Sequence, residues 1–322
     1  MRILPALLVF AALLGGAVAP ASAGRDAEAS KACIKCHDAE DLPDWSRSAH
    51  AVQVDPRTPG CITCHGPSLT HVTRPQGVSE RPRPDIVFGK NSPVPVAQRN
   101  GACLTCHGKD QRALWGGSQH EAADLACVTC HKVHTNHDKV LTRQTQTEVC
   151  ITCHKEQRTQ IAKPSHHPIP EGKMSCGDCH NAHGSAGPKL AKRDSVNATC
   201  YTCHAEKRGP FVHQHEPVTE DCSICHNPHG STVAAMLKSR PPMLCQQCHT
   251  PHVQGGVGAV GGQPGVFPPA VRGQVAPAVA ATTGGKNVVN MWQGRGCLNC
   301  HTQVHGSNNP SATNPTPRFQ FR

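Results

Sequence analysis

Three observations predict a mostly irregular chain with short α-helices, little β-structure and no ordinary side-chain core. The chain contains 15 Leu, 8 Ile, 27 Val and 6 Phe, 17% of its 322 residues, which lies below the roughly 20% at which chains tend towards disorder. Aromatic residues supply only 3%. All twenty cysteines fall into ten copies of Cys-x-x-Cys-His, which leaves about thirty residues for each copy, the size of a repeat that contacts only its neighbours.

The ten motifs have the spacing through which a c-type haem is attached. Two thiols separated by two residues can form thioethers to the two vinyl groups of one porphyrin, while the adjacent histidine reaches the iron. Zinc sites, redox dithiols and disulfides also use paired cysteines, but none of them requires a histidine after every second cysteine. The sequence therefore predicts ten c-type haems (haem c, with iron). The predicted thioether positions are Cys33, Cys36, Cys61, Cys64, Cys103, Cys106, Cys127, Cys130, Cys150, Cys153, Cys176, Cys179, Cys200, Cys203, Cys222, Cys225, Cys245, Cys248, Cys297 and Cys300. The predicted proximal iron ligands are His37, His65, His107, His131, His154, His180, His204, His226, His249 and His301.

With ten haems, the predicted fold class is a multihaem cytochrome c. Ten large apolar porphyrins replace the missing side-chain core, so the haems are expected to form the core of an elongated haem wire. The polypeptide without haem is expected to be unfolded, because its folding is coupled to ligand binding as in proteins with structural metals.

The histidines outside the motifs indicate the second axial ligand of each iron. Thirteen of the 23 histidines lie outside the motifs, and three close sets, at 134/137, 166/167 and 213/215, reduce them to ten positions. Repeated spacings favour His134, His167 and His215 over their neighbours. The predicted distal ligands are His50, His71, His120, His134, His167, His183, His215, His229, His252 and His305. A methionine ligand, Met243 or Met291, is the alternative at single sites and would raise the potential there.

The reach of the chain limits which haem some distal histidines can serve. A histidine three residues after a proximal ligand spans only roughly 10 Å of extended chain, too little to pass around a porphyrin to its other face. Four predicted ligands must therefore bind a haem other than that of the motif they follow: His134, His183, His229 and His252.

The chain is expected to consist of a leader and one elongated domain. Residues 1–23 have the features of a secretory signal peptide, with an apolar stretch and Ala21-Ser22-Ala23 as the cleavage site. Residues 24–322 are predicted to form a single decahaem domain with five repeats, at approximately 24–72, 101–140, 146–186, 197–232 and 242–308. Two predicted linkers interrupt them, the Pro- and Arg-rich segment 72–100 and the nearly uncharged segment 253–290.

Irons with two histidine ligands favour electron transfer over catalysis. A haem enzyme needs an open coordination position, whereas all ten motifs end in histidine and ten further ligands are available. Bis-histidine ligation favours low potentials, and no catalytic residues are predicted. The alternative is a periplasmic multihaem reductase with one labile haem ligand. The formal charge of +10 balances haem propionates, and no basic run or aromatic ladder points to a nucleic acid.

The motif array and the segment from Asn290 to Asn308, which contains the tenth motif, resemble the MtrA/DmsE family of periplasmic decahaem cytochromes. The resemblance implies a haem rod partly inserted in an outer-membrane β-barrel porin. It implies electron exchange with an inner-membrane or periplasmic cytochrome at one end, and with an extracellular multihaem cytochrome or terminal reductase at the other. The chain is then expected in the periplasm, associated with the outer membrane, with segment 253–290 as a candidate porin contact. A free periplasmic electron shuttle or store is the alternative.

Overall fold

The computed structural model describes residues 30–37, 42, 45–51, 55, 57–248, 297–299 and 301–308. The predicted signal peptide and the predicted linker 253–290 lie outside the described residues. So do three of the predicted site residues, His249, His252 and Cys300.

Short helices joined by irregular chain make up the described residues, which confirms the predicted fold class. The α-helices are α1 (residues 30–34), α2 (Cys61–His65), α3 (Leu69–Thr73), α4 (Val96–His107), α5 (Gln119–Ala122), α6 (Cys127–Cys130), α7 (Arg143–Cys150), α8 (Lys155–Ile161), α9 (Cys176–Cys179), α10 (Val196–Cys200) and α11 (Glu216–Glu220). The 3-10 helices are Trp45–Arg47, Ala49–Ala51, Asp110–Arg112, Lys139–Leu141, Pro188–Leu190, Ala205–Lys207, Cys222–Ile224, Ala234–Met236, Cys245–Gln247 and Cys297–Asn299. Within the described part of the chain β-structure is limited to isolated bridges, and no helix there is both long and apolar enough to cross a membrane.

The attachment motifs themselves form single helical turns. In motif after motif the N–H of the histidine donates to the carbonyl of the first cysteine, as in His131 to Cys127 at 2.9 Å and His301 to Cys297 at 2.8 Å. Residues at positions i, i+3 and i+4 lie on one face of a helix. One turn therefore presents both thiols and the imidazole of a motif in the same direction.

In the residues that the structure describes, side-chain packing provides almost no core. The buried hydrophobic residues of the described chain are Trp115, Ala126, Ile161 and Ala191, and two of these are alanines. Large hydrophobic side chains such as Leu69 and Leu141 are exposed instead. Since burial of apolar area is the main favourable term in folding, this polypeptide needs apolar surface from outside its own sequence.

The chain divides into two compact units. Unit 1 consists of Met1–Cys103 and Lys132–His137, and unit 2 of Leu104–His131 and Asp138–Arg322. In unit 1, both ends of the predicted linker 72–100 are helical, in α3 and α4. Its middle is hydrogen-bonded to the preceding repeat, because Asp85 Oδ2 accepts from Ser68 N at 2.8 Å and His65 O from Ile86 N at 3.1 Å.

In unit 2, consecutive repeats dock through glycine-containing turns. Ser231, just after Gly230, forms an antiparallel bridge with Ser165 of the preceding repeat. Gly230 has φ +140, and a Cβ there would meet the carbonyl oxygen of Gln160 at 2.2 Å. Gly184 has φ +119, and a Cβ there would meet Leu114 O at 2.1 Å. Only glycine allows both this backbone conformation and this close approach.

Candidate haem sites

Seven motif histidines of the described chain each lie opposite a histidine from outside the motifs. The ring centroids of every pair are 5.9 to 6.3 Å apart. The pairs are His37 with His71 (6.2 Å), His65 with His134 (5.9 Å), His131 with His183 (6.0 Å), His154 with His120 (6.0 Å), His180 with His229 (6.1 Å), His204 with His167 (6.3 Å) and His226 with His305 (6.1 Å).

This separation fits one iron between two imidazoles. Metal–imidazole nitrogen bonds are about 2.0–2.1 Å long, and the nitrogen lies about 1.1 Å from the ring centre, so two axial rings on one metal have centroids about 6 Å apart. Rings in direct stacking contact would lie closer together. The residues present therefore fit a haem held on both faces.

The pairs fall into two kinds in unit 2. At the sites here called turn sites, the second histidine follows a later motif by three or four residues: His131/His183, His180/His229 and His226/His305. At the sites here called mid-repeat sites, it lies between the two motifs of the preceding repeat: His154/His120 and His204/His167. In all of these pairs the partner histidine belongs to a different repeat.

At the mid-repeat sites the Nδ1 of one imidazole joins its own repeat to the next. His120 Nδ1 donates to Ala182 O at 2.8 Å, and His167 Nδ1 donates to Pro228 O at 2.8 Å. Ala182 and Pro228 immediately precede the turn histidines His183 and His229. This bond fixes the tautomer that leaves Nε2 free for iron.

His215 makes the same contact one repeat later, since its Nδ1 donates to Val304 O at 3.0 Å and Val304 immediately precedes His305. His215 therefore occupies the position in its repeat that His120 and His167 occupy in theirs. His213 instead forms a backbone bridge with Ser307.

The proximal histidines of two turn sites are oriented by strained backbone. His180 Nδ1 donates to Lys189 O at 3.0 Å and His226 Nδ1 to Ala235 O at 2.8 Å. Lys189 and Ala235 have φ +51 and +55, in the left-handed region that residues other than glycine rarely adopt. Strain of this kind persists where the surrounding structure requires it and clusters at functional sites.

A short repeated sequence, His-Asn-x-His-Gly-Ser, forms the turns at 180–185 and 226–231. The side-chain oxygens of Asn181 and Asn227 accept from the N–H of His183 and His229, each at 3.2 Å. This Asx-type turn fixes the direction in which the second histidine leaves the chain. The asparagines and glycines of this sequence were not among the predicted site residues, although their repetition is visible in the sequence.

Burial keeps several of these imidazoles neutral. It lowers the pKa of His180, and also that of His183, His229 and His305, below the ordinary value for histidine. Neutral imidazole is the form that binds a metal. The electrostatics of these positions therefore favour the ligating form.

Of the neighbouring histidines His166 and His167, His166 has both ring nitrogens in contact with other groups and does not face a motif histidine of the described chain. Its Nδ1 contacts Lys163 O, and its Nε2 lies 3.1 Å from Glu171 Oε1. The Lys163 carbonyl and the Glu171 carboxylate raise the pKa of this half-buried ring. His167, in contrast, faces His204.

Two tryptophans pack against imidazoles of these sites. Trp45 meets His134 edge to face, with ring centroids 5.4 Å apart. The buried Trp115 lies 6.3 Å from His183. Each tryptophan stands five residues before a mid-repeat histidine, and each restricts the ring of a histidine from another repeat.

Thiols of consecutive motifs also meet. The first cysteines of two neighbouring motifs lie close enough to interact in Cys33/Cys61, Cys150/Cys176, Cys200/Cys222 and Cys245/Cys297. The attachment points of consecutive motifs therefore adjoin one another along the chain.

Attachment motifs, opposed imidazoles and the missing side-chain core together define a multihaem c-type cytochrome, a class whose members transfer electrons. Comparison with known proteins agrees. Residues 61–145 match a family of NrfB-like cytochrome c-type proteins, and residues 166–209 and 215–254 match the doubled CXXCH motif. The chain is 42% identical over 287 residues to the multihaem cytochrome MtrA of Shewanella baltica, covering 87% of this chain and 78% of that protein. The chain belongs to the MtrA family of multihaem cytochromes.

Proposed function

We propose that this cytochrome carries ten haems with two histidine ligands each and conducts electrons along the chain. The observation that carries the proposal is the set of seven opposed imidazole pairs with centroids about 6 Å apart, the spacing of two axial ligands on one metal. His50, His215 and His252 are proposed to complete the distal set. The position of His215, equivalent to His120 and His167, supports its inclusion.

The chain's own contribution is to attach, orient and space these cofactors. When bound, each haem supplies an iron that takes up or releases one electron. The motif turns present both thiols and an imidazole to one face, and the Nδ1 bonds hold the imidazoles in the ligating tautomer. Exchange of histidines joins each repeat of unit 2 to the next, and the first cysteines of the two motifs within a repeat lie close together.

The proposed setting is a conduit through the outer membrane, for extracellular respiration or for metal oxidation or reduction. The cytochrome would lie on the periplasmic side and enter a β-barrel porin. Its proposed partners are an inner-membrane or periplasmic cytochrome and an extracellular multihaem cytochrome or terminal reductase. The 42% identity to a protein named MtrA and the resemblance of the tenth-motif segment support this setting.

Carbon monoxide binding tests the ligation. A bis-histidine iron has no open position, so the dithionite-reduced protein is expected to bind no carbon monoxide rapidly, while a pyridine haemochrome assay finds ten haems per chain. The absorbance change on adding the gas measures both rate and stoichiometry. Fast binding at one haem per chain would instead favour the multihaem reductase.

Membrane fractionation tests the conduit. After mild detergent extraction of the outer membrane, a tagged chain is expected to co-purify with a β-barrel porin identified by mass spectrometry. Removing segment 253–290 is expected to release the chain into the soluble fraction with its haem content unchanged. Recovery of the full chain only as a soluble protein would instead indicate a periplasmic shuttle.

A further inference from the structure

One proximal imidazole in unit 2 donates to a carboxylate. His131 Nδ1 lies 2.8 Å from Asp138 Oδ2. The side chain of Asp138 is only 11% exposed and that of His131 29%. A charged hydrogen bond screened from water in this way is stronger than one between neutral groups.

At eight other ligand histidines of the described chain the equivalent bond goes to a neutral acceptor, a backbone carbonyl or an amide oxygen. These acceptors are Ile86 O for His65, Pro82 O for His71, Ala182 O for His120, Pro228 O for His167, Lys189 O for His180, Val304 O for His215, Ala235 O for His226 and Gln160 Oε1 for His229. Asp138 thus places a negative charge where the other two turn sites have a carbonyl.

A second bond fixes the orientation of the carboxylate. Asp138 caps the 3-10 helix Lys139–Leu141, since its Oδ1 accepts from Val140 N at 3.3 Å. One oxygen therefore serves the helix and the other serves His131. The contact with the imidazole is built into the local backbone.

We infer that Asp138 lowers the reduction potential of the haem held between His131 and His183, so that this haem is reduced after its neighbours. The inference rests on the proposed function. A carboxylate acceptor makes the imidazole a stronger electron donor to its metal, and hydrogen bonding to an axial ligand is one of the ways in which a protein sets haem potential. Added donation stabilises the ferric over the ferrous state. Reduction adds one electron to this iron, supplied by dithionite in vitro, and no bond forms or breaks.

The consequence for conduction is a local barrier in the chain of sites. An electron that passes the haem of the fourth motif has to move to a site whose reduction potential is lower than those of the sites on either side. Asp138 acts on this site through its bond to His131.

The test is the variant Asp138→Asn in the haem-loaded protein. Asparagine is a good N-cap but has one acceptor oxygen in place of two, so it can keep either the bond to His131 Nδ1 or the bond to Val140 N while the charge is removed. In a potentiometric titration with dithionite, the last step of reduction, about one-tenth of the haem absorbance for ten similar haems, is expected to move to higher potential. The low-spin electron paramagnetic resonance signal of the same haem is expected to shift.

Glu206→Gln is the matched control. Glu206 Oε1 lies 3.8 Å from His204 Nδ1, beyond hydrogen-bond distance, on a side chain that is 60% exposed. Removing this solvent-screened charge is expected to shift the potentials less than Asp138→Asn does. Asp138→Glu, which keeps the charge, is expected to restore a potential below that of Asp138→Asn.

An unchanged titration of Asp138→Asn with full haem content would overturn the role of Asp138 and leave the proposed function intact. If Asp138→Asn loads haem poorly, the potentiometric titrations of Asp138→Glu and of the wild-type protein test the inference instead. A wild-type titration without a separate low-potential haem would overturn it. Rapid carbon monoxide binding by the wild-type protein would instead count against the proposed bis-histidine ligation.

Discussion

The turn sites and the mid-repeat sites of unit 2 hold opposed imidazoles at the same separation but in different ways. At the turn sites the planes of the two rings are near parallel, with interplanar angles of 11°, 28° and 14°. At the mid-repeat sites the angles are 66° and 47°. At two of the turn sites an Asx-type turn orients the second ring, that of His183 or His229, whereas at the mid-repeat sites a hydrogen bond to the next repeat orients it.

The distance between the two ring centroids and the angle between the two ring planes have separate causes. The centroid distance is nearly the same at both kinds of site, and it matches the distance expected for two imidazoles bound to one metal. Orientation has local causes at two turn sites, where the side-chain oxygens of Asn181 and Asn227 accept from the N–H of His183 and His229. The mid-repeat histidine depends on a carbonyl of another repeat, so its site and the neighbouring turn site are coupled.

The largest expected effect comes from removing one histidine of each kind. His167→Ala removes a proposed iron ligand and also the bond to Pro228 O, next to His229, so two haems are expected to change. His229→Ala removes a ligand of one site and is expected to open one haem. Carbon monoxide titration of the reduced variants measures the number of altered haems.

His166→Ala is the control for both variants. Its ring nitrogens contact Lys163 and Glu171, and its removal is expected to open no haem. Equal stoichiometry for His167→Ala and His229→Ala would contradict the coupling between the two kinds of site.

A smaller effect is expected from replacing Gly230, which lies in the turn that docks against Gln160. Gly230→Ala introduces a side chain at φ +140, against Gln160 O. Strained backbone of this kind costs about 1–3 kcal/mol, and the free energy of unfolding of the haem-loaded protein should fall by at least that much. Denaturant titration followed by Soret circular dichroism provides the measurement.

Gly116→Ala is the matched variant in the same unit, because a Cβ at Gly116 would meet nothing within 4 Å. Its effect is expected to stay within about 0.5 kcal/mol, as for surface substitutions. A loss of stability at Gly116 as large as that at Gly230 would argue against docking of the turn on Gln160.

The smallest expected effect is spectroscopic. Near-parallel axial imidazoles split the iron d orbitals more strongly than near-perpendicular ones, because both ligands then interact with the same orbital. The electron paramagnetic resonance spectrum of the oxidised protein is expected to contain a large-gmax signal from the His154/His120 site, absent from His120→Ala. A spectrum in which His120→Ala removes only an ordinary rhombic signal would contradict the 66° angle.

Much of the fold could be predicted from the sequence because its causes are local. The motif spacing predicts one helical turn for each attachment site, and Cys127–Cys130 and Cys176–Cys179 adopt that turn. Low apolar content predicts the missing core, and the described residues contain four buried hydrophobic residues.

The pairing of histidines could not be predicted because it depends on how repeats dock. His131 and His183 are 52 residues apart in sequence, and spacing alone indicates only that His183 serves another motif. The docking depends on glycine contacts such as Gly184 against Leu114 O. The contact of Asp138 with His131 could not be predicted either, because the other two turn sites use backbone carbonyls that leave no mark in the sequence.

The exchange of histidines between neighbours constrains how such a chain can change length in evolution. The repeat at 146–186 contributes His183 to the site of His131 behind it and His167 to the site of His204 ahead of it. Gain or loss of a single motif would leave an iron without a partner on one side of the junction. A duplication of a whole repeat keeps every exchange matched, so arrays of this design are expected to grow and shrink by two haems at a time.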